Sequence, residues 1–375
     1  MKLFSCPSCD QVVHFHNTKC ERCGHALGYE PLSNRMLALE PDPQTGFWVS
    51  VGRGANGERW KYCANYEYGV CNWLLDAESS ETLSIASRFN KTIPDLSDPE
   101  NVALWQKIEF AKQRLIYTLL RLRLPLMTRE ENPEGLSFDF LEDVGDGQPV
   151  MTGHDRGHIT IALAEADDAE REKRRSAMGE PYRTLLGHFR HEIGHWYWDR
   201  LVRDGGALDA CRAVFGDDSA DYGQALQAHY ANGPKANWQN EFVSSYSGAH
   251  PWEDFAETWA HYLHIVDSLE TGGSWGITLH PRLDRDGILT TDLDFKVYDD
   301  ATTIDQIAEA WTALSSALNS LNRSMGLQDV YPFVLSPLVV SKLGFIHDLV
   351  HGRVGFAAQA GVSEELAKDQ QPDAT

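Results

Sequence analysis

The sequence predicts an α+β, helix-rich fold behind a small cysteine-punctuated module, and three observations carry this. Six of the seven cysteines lie at or before Cys71, four of them in two CxxC pairs. Strand-like stretches are confined to the first half of the chain. Amphipathic helical patterns dominate from about residue 102 onward.

The elements follow in order. Residues 1–30 are short, polar and rich in turn residues. "GFWVSVG" and "RWKYCANYEYGVCNWLL", within 44–75, read as strands, and "TIPDLSDPE" (92–100) as a linker or turn. From Val102 to Leu124 an amphipathic helix is expected, stopped before Pro125. In "HITIALAEAD" the apolar residues Ile159, Ile161 and Leu163 alternate, which predicts a strand. The charged run "DDAEREKRR" reads as a solvated loop or helix face. The next helix is expected from Pro181, a favoured first-turn residue, to about Val202. Its apolar stripe is Leu185, Leu186, Phe189, Ile193, Trp196 and Leu201. "GDDSADYGQALQAHYANG" reads as one helix, and Pro251 opens another that reaches about Leu269. Residues 280–303 look irregular, whereas 304–322 and 337–350 read as helices. The tail from 359 is small and polar and is expected to be disordered. The expected division is 1–97, 98–358 and a tail of 359–375.

Composition narrows the function. The 375 residues are 42% hydrophobic and 23% charged, which is the balance of a globular protein. No apolar run is long enough for a membrane span. "MKLFSCPSCD" has no long apolar core after its lysine, so no signal peptide is expected and the expected address is the cytoplasm. A net charge of −22 opposes binding to phosphate backbones, so nucleic acid is not an expected partner.

Cys6-Pro-Ser-Cys9 and Cys20-Glu-Arg-Cys23 have the spacing of two zinc knuckles. Four thiolates would complete a closed, structural zinc site. His14, His16 and His25 lie nearby but are not required. Cys63 and Cys71 need two further partners to hold a metal. Cys211 reads as an ordinary buried thiol.

His191-Glu192-Ile193-Gly194-His195 is H-E-x-x-H. On a helix the two imidazoles share a face and can hold one Zn²⁺, with Glu192 in reach of a water as general base. His188 and Asp199 fall on the same face. Asp199 is a candidate to orient a ligand histidine, and His188 reads as structural or supporting. A third ligand must come from elsewhere, and "AHPWEDFAETWAHYLHIV" is the best source. His250, Asp254, Glu257 and His261 line one face of it. Glu253 and Asp254 have a simpler reading, as first-turn acids that complement the helix dipole. Glu257 sits among apolar neighbours where a carboxylate needs a compensating cation, so it is the expected third ligand. His261 and Asp254 compete with it, or orient a ligand histidine. Tyr246, His250 and Tyr262 are candidate donors to an oxyanion. "HITIALAEA" is a candidate edge strand for an extended substrate. Together these residues predict a zinc ribbon followed by a zincin-like metallopeptidase domain, with one catalytic and one structural zinc and a peptide or protein as substrate. The rival readings are a zinc-binding scaffold, which needs a fourth protein ligand, and a nucleic-acid-associated protease with the ribbon as reader.

The CxxC pairs, "CANYEYGVCNWL", "TIPDLSDP", "RHEIGHWYWD", "HPWEDFAETWAHYLHIVDSLET" and "ALNSLNRSMGLQDVYPFVLSP" resemble the bacterial zinc-binding metallopeptidases with an N-terminal zinc-ribbon domain. The resemblance runs over residues 3–352 and implies a zinc-dependent peptidase-like domain. It also implies a further CxxC that would join Cys63 and Cys71. Ser84 and Ser87 stand at those positions, so a second ribbon zinc is not expected.

Overall fold

The computed structural model describes residues 1–143, 150–178, 180 and 182–355. The expected helix start at Pro181 and the tail from 359 lie outside the described residues. The described chain forms two compact units, one of residues 1–121 with 126–189, the other of 122–125 with residues from 190 onward.

The first unit opens with a two-stranded pair, β1 (Phe4–Ser5) and β2 (Val12–Val13). A five-stranded antiparallel meander follows: β3 (Ala26–Glu30), β4 (Arg35–Pro41), β5 (Trp48–Val51), β6 (Arg59–Tyr62) and β7 (Leu74–Asp76). Both faces of β3 and β4 are buried: the register sets Leu27 and Tyr29 on one face with Ala38 and Met36, and Leu37 and Leu39 on the other with Gly28 and Ala26. Gly28 allows a close approach of strands, because a Cβ there would lie 2.6 Å from the Leu74 side chain. The second sheet combines β8 (Asn90–Thr92), β9 (Ser137–Leu141), β10 (Gly153–Asp155) and β11 (His158–Ala162) in the order β10-β11-β9-β8. Only β10 runs antiparallel to its neighbour. β11 therefore lies inside the sheet, and the expectation that it is an edge strand fails: β10 covers it. Between β8 and β9 runs α1 (Pro99–Arg121), three residues earlier at each end than its apolar pattern suggests. All but the first residue of the charged run, 167–175, fall in α2 (Asp168–Met178).

Helix α3 (Leu185–Tyr197) continues into a π-helical turn at Trp198–Arg203. Its expected stripe is buried at Leu185, Phe189, Ile193, Trp196 and Leu201. The second unit is helical: α4 (Leu208–Phe215), α5 (Tyr222–Asn232), α6 (Pro251–Ser274), α7 (Ile304–Ser324) and α8 (Pro337–Val350). α4 was not anticipated, because it is only eight residues long. A small pair, β12 (Thr278–Leu279) with β13 (Thr291–Asp292), interrupts the stretch after α6. Strong caps set the helix starts: Asp221 for α5, His250 with Pro251 for α6, Thr303 in a capping box with Gln306 for α7, and Ser336 for α8. No helix among the described residues is long and apolar enough to cross a membrane.

α6 is the spine of the second unit. Phe255, Trp259, Tyr262, Leu263 and Val266 are fully buried along it. α3 crosses it closely at Gly194, where a Cβ would stand 3.1 Å from Ala256 Cα and 3.2 Å from Trp259 Cδ1. Tyr197 then stacks on Trp259 with ring centroids 4.8 Å apart. That crossing brings the polar faces of the two helices together.

Candidate metal centre

His191 and His195 project from one face of α3, one turn apart, with Nε2 atoms 3.2 Å from each other. Across from them, the first turn of α6 delivers Glu253, whose side chain is only 1% exposed. Its Oε2 lies 3.1 Å from His191 Nε2 and 3.6 Å from His195 Nε2. That oxygen is buried without a hydrogen bond, although its partner Oε1 accepts one from the Tyr222 hydroxyl at 2.5 Å. A tetrahedral ion with bonds of about 2.0 Å has ligand–ligand edges of about 3.3 Å. The three observed separations bracket that value, so the residues present fit a zinc ion. Among the described residues His191, His195 and Glu253 form one of two groups that could hold a metal.

Glu257 was expected as the third ligand, but it stands apart from the point on which the His191 and His195 Nε2 atoms converge. Its Oε1 sits 2.7 Å from His191 Nδ1, on the far side of the ring from the converging atoms. Ser244 Oγ donates to its other oxygen at 2.7 Å, and Ser247 Oγ lies 2.9 Å from Ser244 Oγ. An imidazole that donates Nδ1–H to a carboxylate presents its Nε2 lone pair outward. Burial separates the two glutamates: Glu257 keeps 21% of its side chain exposed, whereas Glu253 is enclosed. The dipole reading of Glu253 concealed it, since a first-turn acid needs no metal to account for it.

Charge follows this geometry. Burial opposes charge on His191, but Glu253 and Glu257 outweigh it and hold the ring well above its ordinary range. Burial would raise Glu253, yet His195 and His191 keep it strongly ionised. Burial raises the Glu192 carboxyl above its ordinary range, with the two histidines pulling the other way.

Other expected participants are used elsewhere. His250 is the cap of α6: its Nδ1 accepts from Trp252 N at 3.1 Å and its Nε2 meets Ala220 O at 3.1 Å. Both nitrogens are occupied, so it is not an oxyanion donor. Asp254 pairs with Lys342 Nζ at 2.6 Å rather than with a histidine. Burial pushes its carboxyl up to about 7 against the pull of that lysine. His261 Nδ1 bonds the Tyr331 hydroxyl at 2.7 Å, and Tyr262 bonds His347 Nδ1 at 2.9 Å. Neither reaches the ligand histidines through these bonds. Asp199 Oδ1 accepts from Arg203 Nη1 at 2.6 Å on the π-helical turn. His188 Nδ1 stands 3.5 Å from the Glu165 carboxylate in the first unit. Tyr246 remains beside the centre, its ring centroid 6.1 Å from that of His191. Tyr222 and Ser244 were missed, since neither stands in a metal-binding pattern.

The second group lies in the ribbon. Cys6 Sγ is 3.6 Å from Cys23 Sγ, and Cys9 Sγ is 3.6 Å from Cys20 Sγ. Bonds of about 2.3 Å require edges of about 3.8 Å. The knuckles turn where Asp10 and Gly24 take positive φ, 60° and 80°. His25 links Cys23 Sγ at 3.2 Å to Glu40 Oε1 at 3.1 Å. Cys63 and Cys71 meet Ser84 and Ser87 in a buried cluster. Cys63 Sγ donates to Ser87 Oγ at 3.4 Å, Cys71 Sγ lies 3.6 Å from Ser84 Oγ, and the two hydroxyls are 3.3 Å apart.

A helical pair of histidines facing a buried carboxylate, preceded by a four-cysteine ribbon, defines a zinc protein of the metallopeptidase class. The family model described as "Putative zinc-binding metallo-peptidase" matches residues 101–349, and a zinc-ribbon domain model matches residues 3–98. The chain belongs to this zinc-binding metallopeptidase family. It is 39% identical over 353 residues to uncharacterised proteins of Mycobacterium bovis and Mycobacterium tuberculosis, covering 93% of this chain and 95% of each relative. No solved structure matches the chain.

Proposed function

We propose that the protein is a zinc-dependent peptidase whose catalytic metal is held by His191, His195 and Glu253. The convergence of three ligand atoms beside Glu192, without a fourth protein ligand among the described residues, carries this reading. When bound, zinc supplies a Lewis acid that polarises a carbonyl and acidifies water. Glu192 then takes the proton of the attacking water on its carboxylate and returns it to the leaving amine. Glu257 holds the tautomer and angle of His191. Tyr246 is the candidate donor to the substrate oxyanion. The scaffold reading needs a fourth ligand, and its two candidates, Asp254 and His261, are engaged by Lys342 and Tyr331. The ribbon's four cysteines hold a closed, structural zinc. Cys63, Cys71, Ser84 and Ser87 stay metal-free, because serine is a poor ligand beside thiolate. The matched spans support a chain division near residue 98, and the substrate is a peptide or protein.

Glu192→Gln tests the mechanism. The variant is expected to keep both zincs and its fold while losing hydrolysis of a denatured protein substrate. Loss of the helical zinc from this variant sinks the assignment of Glu192 as base. Elemental analysis is expected to find two zincs per chain, and three would overturn the reading of the serine-containing cluster.

A further inference from the structure

We propose that Tyr222 is a positioning residue that sets how Glu253 presents itself to the metal. The proposal rests on the assignment of His191, His195 and Glu253 as the ligands.

A carboxylate carries two equivalent oxygens, and one that is free to rotate offers either or both to a cation. Glu253 is not free. The Tyr222 hydroxyl donates to Oε1 at 2.5 Å, which leaves Oε2 as the oxygen that faces His191 Nε2 and His195 Nε2. The bond is charge-assisted and its acceptor carboxylate is buried, so it is among the stronger kind. Tyr222 is itself fixed by the helix it serves. Its ring meets His250 and Trp252 edge-on, each with centroids 5.4 Å away, and these are the cap and second residue of α6. The rest of α5 adds little anchorage, for none of its residues is buried. The hydroxyl at its first residue therefore couples the seating of a weakly packed helix to the orientation of a metal ligand.

Two consequences separate positioning from mere satisfaction of a buried oxygen. Removing the hydroxyl releases Oε1 to join Oε2 on the metal, which raises the coordination number. It also removes the preorganisation that makes Glu253 a good ligand, for which a loss of about 10–100-fold in metal affinity is the usual scale.

The experiment measures Zn²⁺ affinity of the full chain by competition with a chromophoric chelator, for wild type, Tyr222→Phe and Glu253→Ala, with the ribbon zinc as internal control. Each protein is also loaded with Co²⁺ at the helical site and its visible d–d spectrum recorded. Tyr222 is partly exposed and the substitution removes one oxygen, so the circular dichroism of Tyr222→Phe is expected to match wild type. Its zinc affinity is expected to fall about 10–100-fold, and its cobalt band to weaken and shift as a higher coordination number requires. If Tyr222→Phe binds zinc like wild type while Glu253→Ala loses it, positioning by Tyr222 is wrong and the ligand assignment stands. If affinity falls with the cobalt spectrum unchanged, Tyr222 is only structural and the proposal also fails. If Glu253→Ala retains wild-type affinity, the ligand assignment fails and the role of Tyr222 goes with it.

Discussion

The ribbon site and the helical site collect their ligand atoms in opposite ways. In the ribbon, four thiols lie between residues 6 and 23, and two backbone turns bring them together. The chain's covalent spacing does nearly all the positioning. In the helical site, two histidines on α3 meet a glutamate on α6 that is 58 residues beyond the second histidine (253 − 195). Here position depends on how two helices cross, and on a surrounding set of hydrogen bonds from Glu257, Ser244 and Tyr222. The difference teaches where each site is fragile. A closed thiolate site fails when a ligand is lost. An open site with three ligands also fails when its supports move.

The largest expected effect comes from the ligands. Cys20→Ser is expected to remove the ribbon zinc and unfold that module, because structural zinc binding is worth about 10–16 kcal/mol in small zinc modules. His195→Ala is expected to remove the helical zinc and all hydrolysis, while the second unit stays folded. Zinc counts per chain and circular dichroism on both variants check this. Loss of both zincs from either variant would break the comparison.

Next come the supports. Glu257→Gln leaves His191 in place but weakens the acceptor at Nδ1, and a drop of about 10–100-fold in affinity for the helical zinc is expected. In the ribbon, His25→Ala removes one contact to Cys23 and is expected to leave the zinc bound. Chelator competition on the pair of variants measures both. Equal losses would show that the ribbon too relies on its surroundings.

Packing follows. Gly194→Ala places a methyl 3.1 Å from Ala256 Cα, so α3 and α6 must separate. A cost of about 1–3 kcal/mol is expected from such overpacking, read as a lower Tm with the ribbon zinc retained. Metal affinity at the helical site is expected to fall with it.

Acid sensitivity comes last, and buried histidines carry it in both units. His16 in the ribbon region is stacked on Phe110, with ring centroids 4.2 Å apart. Burial, reinforced by Arg114, lowers it to about 3. His347, between the Tyr262 hydroxyl and Thr302 O, is lowered by burial to about 4. Both rings are neutral when folded and take up a proton when unfolded below about pH 6.5. Between that pH and the folded value the unfolded state binds more protons, so stability falls as pH falls, and nothing changes above 6.5. The slope is at most about 1.4 kcal/mol per pH unit for each ring. His16→Phe keeps the stacking and is expected to flatten the acid side of the curve in denaturant unfolding between pH 6 and 4. An unchanged slope would mean that His16 is protonated in the fold.

The same contrast explains what could be read from the residues alone. The ribbon's ligands stood out because their spacing is their geometry. His191 and His195 were legible for the same reason, being one helical turn apart. So were α8, whose limits at 337 and 350 match its apolar pattern, and the capped start of α6 at Pro251. The third ligand was not. Glu253 and Glu257 occupy the same face of α6, one turn apart, and periodicity ranks them equally. Choosing between them requires the height at which α3 crosses, which Gly194 and Ala256 decide by contact.

Two further outcomes were beyond any local pattern. The acids and histidines of α6 looked alike along its polar face, yet Lys342 from α8 took Asp254 and Tyr331 took His261. Strand β11 alternates like an edge strand, and only its pairing with β10 shows that it is enclosed. Sequence by itself determined most of the long helices, the four-cysteine spacing and the histidine pair, because each is written in a local pattern along the chain. The tertiary structure alone decided which carboxylate faces the histidines and which residues hold it there, because those partners meet only after distant segments pack.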